Sequence, residues 1–459
     1  MLDLKSVKKI YFIGIGGIGI SATAGMMKAK GYEVEGSDAS AGEIVEDLRH
    51  QGVTVHVPHH ADNLLNGNFD AVVYSVAVPT DNPEFAVAVK LNLPLLTYPQ
   101  LLGLLSDNSY GIGVSGTDGK TTTTAILAKM LLSANLDPTV VLGSKADFLN
   151  GNWRLGSSNY FVFEADEYRR AFDNYHPQMV IISNIGSDHL DFYGSEKKYR
   201  QAFYDYVKRI PNNGFLIINI DDEGAVSAGL KCRCKVITFS LNKQADFRAQ
   251  IKGYNDGRQI FEIFENDLSV GDFSIGLPGD YNVYNALSAF ASARLLGVDV
   301  EVLRLALADF NGVWRRFEKL GYCQKALVVA DYAHTPPAVK QAIKATYDFY
   351  NNKKILTVFQ PHQYARTKNL FNEFMNAFDL SSMTLLSDIF YVEGRENPED
   401  FDVSSEKLAE ALKAKGLSVV ATGGLSTTEE KIKTLANDYD VILLLGAGDI
   451  YGLAKRLIK

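Results

Sequence analysis

Residues 111–124 read Gly-Ile-Gly-Val-Ser-Gly-Thr-Asp-Gly-Lys-Thr-Thr-Thr-Thr, between a short apolar run and the helical pattern of residues 125–132. Strand, glycine-rich loop and helix in that order form a phosphate cradle, in which backbone N–H groups and the positive end of the helix dipole face phosphate oxygens. Val114 stands where the longer pattern has its first glycine, which leaves the shorter form Gly116-Thr117-x-Gly119-Lys120-Thr121. In it Lys120 is expected to reach the β- and γ-phosphates and the Thr121 hydroxyl to bind Mg²⁺, with Thr122 beside it at the helix start. ATP is the expected cofactor.

Acidic and basic groups follow at strand ends. Glu164-Ala165-Asp166-Glu167 comes after the apolar run 160–163, where phosphate-loop folds hold Mg²⁺; a solvated acidic turn is the plainer reading. Asn184-Ile185-Gly186-Ser187-Asp188-His189 repeats the arrangement after 179–183, so His189 is a second metal candidate. Asn282 and Asn285, at a helix start, either present amides to an adenine ring or cap the helix. A different loop opens the chain. Gly14-Ile15-Gly16-Gly17-Ile18-Gly19 fits a dinucleotide fingerprint, with Asp38 about twenty residues on. A nicotinamide-dependent oxidoreductase is the rival reading of this loop. Two nucleotide-type loops on one chain fit better an enzyme that joins ATP to a substrate carrying its own diphosphate.

The elements that must carry these residues read strand–loop–helix throughout, an α/β class of doubly wound sheets. Expected strands are 9–13, 32–35, 53–57, 71–76 and 93–97 before a linker near 105–108; then 160–163, 179–183 and 215–219, with a β-rich patch in 239–272; then 326–330, 355–359, 383–386, 417–421 and 441–445. The expected domains are 1–107, 108–312 and 313–459, the number that 459 residues suggest. A net charge of −8 with dispersed lysines and arginines argues against a nucleic-acid partner. No apolar run has the length of a membrane span, and a cytoplasmic protein with Cys232, Cys234 and Cys323 as free thiols is expected.

Taken in order, seven motifs carry a resemblance. They are Gly116-Thr117-x-Gly119-Lys120-Thr121, Glu164-Ala165-Asp166-Glu167, Asn184-x-x-x-Asp188-His189, Gly279-x-x-Asn282-x-x-Asn285, Arg315-Arg316-Phe317-Glu318, Asp331-Tyr332-Ala333-His334-x-Pro336 and Gly446-Ala447-Gly448-Asp449-Ile450. Together they resemble the Mur ligase family, ATP-dependent amide ligases of peptidoglycan precursor synthesis. The resemblance implies a Rossmann-like UDP-sugar domain, a central ATPase domain and a Rossmann-like C-terminal domain that brings in the amino acid. It also implies UDP-N-acetylmuramate as substrate, activated as an acyl phosphate that an amine then attacks.

Carried onto this chain, the family's pattern implies substrate contacts from Gly14, Gly16, Gly17, Gly19, Ser21, Asp38, Ser75, Tyr364 and Arg366. It implies ATP contacts from Gly116, Thr117, Gly119, Lys120, Thr121, Thr122, Asn282, Asn285, Arg316 and Asp331. Thr121, Glu164 and His189 are the implied metal ligands; Lys120, His189, His334 and Arg366 the implied catalytic groups. The branch that adds L-alanine is nearest, on the N-terminal glycine loop, Gly36-Ser37-Asp38 and Phe359-Gln360-Pro361-His362-x-Tyr364-x-Arg366. Branches that carbamylate a lysine to hold metal have it where Phe203 stands. Asp118, Tyr281, Thr335 and Gln363 depart from the alanine-adding pattern, so another amino acid or a preformed peptide stays open as acceptor, as does a monomer or a dimer. Lys120 and Glu164 are expected to matter for turnover and little for folding, and a side chain at Gly16 is expected to enter the anion site.

Overall fold

The computed structural model describes residues 4–351, 353–392 and 396–458. Three sheets organise it. The first is parallel, in the order Thr54–His56, Glu33–Ser37, Lys9–Ile13, Ala71–Tyr74, Leu95–Thr97. Strand order reverses beside Lys9–Ile13, and ligands of such sheets bind in the crevice this leaves. The glycine loop 14–19 and Ser75 lie at that point.

The second sheet sets Tyr110–Ser115 between Met179–Ile182 and Tyr160–Glu164, all parallel. Phe215–Asn219 and Lys235–Ser240 extend it on one side, Thr139–Ala146 and Gly151–Arg154 on the other. The β-rich patch adds Phe247–Asn255, Arg258–Glu265 and Leu268–Ile275. The third sheet runs Glu318–Cys323, Ala326–Asp331, Val441–Leu445, Ile355–Phe359, Met383–Ser387, Val419–Gly423 and is parallel apart from its first strand. Strands covered on both faces read as unbroken apolar runs, and all five residues of Val441–Leu445 are buried.

By compactness the chain divides into two units, Met1–Gln250 with Glu262–Gly271 and Tyr284–Leu307, and Ile251–Phe261 with Asp272–Val283 and Ala308–Lys459. Within the first, the hairpin of Thr139–Ala146 and Gly151–Arg154 grips the N-terminal helix Ile18–Ala29. Asn152 Nδ2 donates to Ile18 O (2.6 Å) and Ser21 Oγ (3.0 Å). Trp153 lies so close to Gly25 that any Cβ there would strike its indole. Lys145 pairs with Glu43 (2.8 Å) and with Asp47.

Three expectations need correction. Helix Tyr98–Ser106 runs into the expected linker, started by a Thr97–Gln100 capping box and anchored by buried Leu101 and Leu102. The hairpin 139–154 and strand Glu318–Cys323 were not foreseen, because glycines, lysines and polar residues interrupt their apolar pattern. Cys232 and Cys234 are joined in a disulfide, their Cα atoms 5.5 Å apart in the turn before Lys235–Ser240; of the three only Cys323 is a free thiol, and it is buried.

Candidate active site

The central phosphate loop is held by its neighbours before any ligand arrives. Thr117 N donates to Asn184 O (3.0 Å), Asp118 N to Asn184 Oδ1 (3.0 Å) and Gly186 N to Thr117 Oγ1 (2.9 Å). Gly116, at φ +136°, lies against Ser183 Oγ and Asn184; Gly119, at φ +84°, lies against Asn285 Oδ1. Neither place has room for a Cβ. Asn285 also accepts from Thr123 Oγ1 (3.2 Å), so this amide braces the loop.

Lys120 opens the helix Lys120–Ser133 and turns back over the loop. Its Nζ donates to Gly116 O (2.6 Å) and Thr117 O (3.1 Å) and pairs with Glu167 at 2.9 Å. Glu167 is 0% exposed and also accepts from Tyr199 OH (3.2 Å). Burial pushes its carboxyl up to about 7 against the pull of Lys120. Burial works against the lysine's charge as well, but Glu167 and Asp166 outweigh it and hold the ammonium above its usual range.

Thr121 and Glu164 meet as expected: Thr121 Oγ1 donates to Glu164 Oε2 (2.9 Å), and Gly143 N donates to the other oxygen. Threonine and carboxylate oxygens are donors that suit Mg²⁺. His189 lies beside other carboxylates. Its Nε2 is 3.8 Å from Glu167 Oε1 and 3.7 Å from Asp188 Oδ2, and its ring lies 4.6 Å from that of Tyr168. Among the described residues no three His, Cys, Asp or Glu side chains gather into a metal site. Phe203 is fully buried in the aromatic core with Phe172 and Tyr199.

In the N-terminal loop, Gly16 N donates to Asp38 Oδ2 (2.8 Å), so the carboxylate closes the loop. A Cβ at Gly16 would lie 2.8 Å from that oxygen and 2.9 Å from Val45 Cγ2. A side chain there displaces Asp38 from the loop. Gly14, at φ +74°, packs on Val78 and Ser75, Gly17 faces Ile20, and Gly19 lies against the Tyr98 ring. Ser75 N donates to Ile13 O (3.0 Å). Ser21 is buried one turn into the helix and engaged by Asn152.

In the second unit Asp331 accepts from Phe317 N and Ala333 N (2.8 Å each), and burial raises its carboxyl. Arg316 lies 4.9 Å from the Tyr332 ring, and Arg315 donates to the carbonyls of Gly446 (3.0 Å) and Gly448 (2.8 Å). His334 and Arg366 do come together, through His362. Arg366 donates to His362 Nδ1 (3.0 Å), and the two imidazoles are 5.7 Å apart. His334 Nδ1 donates to Tyr332 O (2.9 Å); burial, with the nearby Arg366 charge, pushes its pKa down to about 3. Tyr364 packs its ring on Phe401, and Asn282 Nδ2 closes its own turn onto Pro278 O (2.7 Å). Sequence reasoning missed Tyr199, the Glu167 partner of Lys120 and the Arg315 brace. Glu167 had left a signal as the fourth residue of an acidic run credited to metal, and Arg315 as the first residue of the motif Arg315-Arg316-Phe317-Glu318.

Three family models match in order: "Mur ligase family, catalytic domain" over residues 9–110, "Mur ligase middle domain" over 114–293 and "Mur ligase, glutamate ligase domain" over 315–448. The chain belongs to the Mur ligase family. It is 37% identical to the UDP-N-acetylmuramate–L-alanine ligase of Clostridium novyi over 98% of this chain and 97% of that one. It is 36% identical to the Clostridium perfringens enzyme of the same name over 98% of each. Among solved structures it resembles UDP-N-acetylmuramate–alanine ligase from Thermotoga maritima, with TM-score 0.85, 30% identity and 98% of both chains covered. A murein peptide ligase from Psychrobacter arcticus shares the fold at TM-score 0.71 and 24% identity, over 98% of both chains.

Proposed function

We propose that this chain is an ATP-dependent amide ligase that joins L-alanine to the lactyl carboxylate of UDP-N-acetylmuramate, a step in peptidoglycan precursor synthesis. Full-length similarity to L-alanine ligases carries the choice of acceptor. The braced Gly116–Thr121 loop with Thr121 and Glu164 beside it supports the nucleotide half. The domain bounds 1–107, 108–312 and 313–459 belong to this reading; the gap between the second and third matched segments supports the bound at 312, while the first matched segment runs to 110, three residues past the bound at 107.

The lactyl carboxylate attacks the γ-phosphorus of ATP, ADP leaves, and the amine of alanine then attacks the acyl phosphate with loss of phosphate. Carboxylate and triphosphate repel, so the chain's task is to hold two anions together. Lys120 turns from Glu167 to the β- and γ-phosphates, and the loop N–H groups take the remaining oxygens. Thr121 and Glu164 would hold Mg²⁺, with His189 toward a second ion; bound metal neutralises charge between the two anions. Asn282 and Asn285 serve adenine, Asp331 the ribose, and Arg316 the phosphates. His334, held neutral, offers an acceptor to the incoming ammonium, while Arg366 and Tyr364 take its carboxylate.

Phosphate release from ATP and UDP-N-acetylmuramate, followed across a panel of amino acids, tests the assignment. L-Alanine is expected to drive turnover, with serine and glycine weaker, because packing excludes a hydroxyl poorly. Turnover driven by D-glutamate, a diamino acid or a free tripeptide, and not by alanine, would move the acceptor and leave the ligase chemistry standing.

A further inference from the structure

The stretch Lys231-Cys232-Arg233-Cys234-Lys235 sets two sulfurs among three cations. The sulfurs are joined, and the bridge closes across a single intervening residue. The stability a disulfide gives by restraining the unfolded chain shrinks as the loop it closes shortens. The elements on either side are held by other means. Helix Glu223–Gly229 is capped by Asp222, which accepts from Ala225 N (2.7 Å), and strand Lys235–Ser240 pairs with Phe215–Asn219. The turn does not need the bridge to hold its ends.

What surrounds the bridge suits sulfur chemistry. Cys232 and Cys234 are half-buried, leaning on the core of the second sheet while part of each stays in solvent. Lys231, Arg233 and Lys235 are exposed, and among the described residues none of the three is in an ion pair. Lys235 lies 6.0 Å from the Phe215 ring. On the neighbouring helix end, by contrast, Lys208 and Arg209 are matched by Asp205 and Asp173 (3.7 Å each). The charge around the sulfurs is positive and unanswered.

The two sulfurs are not equivalent. Cys234 N donates to Cys232 Sγ (3.2 Å), and Val207 O, at the end of helix Glu196–Val207, lies 3.6 Å from the same atom. Negative charge arriving on Cys232 Sγ meets an N–H donor, and a proton added to it meets a carbonyl acceptor. Among the described residues Cys234 Sγ has neither. Cys232 is therefore the better leaving sulfur and Cys234 the one to be attacked.

We propose that Cys232–Cys234 is a thiol–disulfide exchange site for small anionic thiols and their disulfides. A thiolate bonds to Cys234 Sγ as the Cys232–Cys234 bond breaks, and the electron pair leaves on Cys232 Sγ, which takes a proton from water. A second thiolate attacks the reagent's sulfur in the mixed disulfide and releases Cys234 as a thiolate. Two thiols are thus oxidised to their disulfide, and the same two electrons reduce the bridge. An anionic disulfide runs these steps backwards. Lys231, Arg233 and Lys235 raise the local concentration of an anionic reagent, an effect that salt screens. The site does not depend on which substrates the two phosphate loops take.

Timed alkylation of the full, folded chain, read by intact mass, tests the proposal. Glutathione, which is anionic, is compared with cysteamine, which carries a cation, at equal thiolate concentration. After treatment with glutathione disulfide the protein should take up no alkyl group, because Cys323 is buried; after reduction it should take up two. At low salt glutathione should reduce the bridge about tenfold faster than cysteamine, and that ratio should fall severalfold in about 0.5 M salt. Lys231→Glu with Arg233→Glu should abolish the preference. Cys232→Ser should stop at a mixed disulfide on Cys234 when given glutathione disulfide. Alkylation of both cysteines after that treatment of the unaltered protein would overturn the proposal. So would equal, salt-insensitive rates with the two thiols, a result that needs no variant to fold.

Discussion

The two glycine loops each lead from a parallel strand into a helix, yet the chain finishes them with opposite charges. Around Gly14–Gly19 the chain places an anion, Asp38, on a loop N–H. Around Gly116–Thr121 it places a cation, Lys120, inside the loop and answers it with the buried Glu167. The first loop therefore offers backbone dipoles already partly satisfied, which suits a diphosphate of modest charge esterified on both sides. The second stores a full positive charge against a counterion that phosphate oxygens can replace.

Removing the cation should separate the loops most. Lys120→Ala is expected to lower kcat by about 10²–10³-fold in an ADP-release assay. It should also cost about 3 kcal/mol in stability, because it strands a buried carboxylate. That revises the expectation of a role in turnover alone. The pH dependence has a definite sign. With a folded pKa near 7, Glu167 favours the native state at low pH, and that stability is lost as pH rises from its unfolded value through 7. Without Lys120 its carboxyl rises further, so the melting-temperature deficit should be larger at pH 8 than at pH 5.5. Adding Glu167→Gln should repair stability and leave activity lost.

Next come the glycines. Gly116→Ala should lower kcat/KM for ATP about 100-fold, since both its φ and its contact with Ser183 forbid a Cβ. Gly16→Val should raise KM for the UDP-sugar about tenfold by displacing Asp38, with KM for ATP unmoved. Equal damage to both substrates from Gly16→Val would break the comparison. A smaller effect is expected at His334, whose folded pKa is depressed to about 3. Its contribution is present above the unfolded histidine value and lost as pH falls. Melting curves should show about 2 kcal/mol lost between pH 6.5 and 5, reduced in His334→Gln. Least of all, Gln363→Arg should lower KM for alanine a few-fold by supplying a second cation for its carboxylate.

Much of this was readable in the chain. Loops after apolar strands were found because a parallel strand buried on both faces announces itself, as Val441–Leu445 does. Gly116–Thr121 and Glu164 were found because phosphate and Mg²⁺ chemistry restricts residue type and spacing. Partnership across long sequence separation was not readable. Nothing local says that Lys120 meets Glu167 and not Glu164, that Tyr199 closes the same cluster, or that Asp38 turns inward to its own loop. Those choices are made by packing, where one residue of register along an acidic run decides which carboxylate is buried. The 139–154 hairpin escaped for a related reason: Asn152, Trp153 and Lys145 answer to helices far away in sequence.

That hairpin has a kinetic meaning. Through Asn152, Trp153 and Lys145 it joins the sheet bearing the first loop to the sheet bearing the second. Two substrates landing on loops so joined do not have to find each other. The entropy of fixing one loop relative to the other is surrendered once, when the chain folds; each substrate gives up its own freedom on binding, and the step between them is then intramolecular. In the language of intramolecular reactions the clasp sets an effective molarity, and for well-placed groups that quantity reaches about 10⁵–10⁸ M.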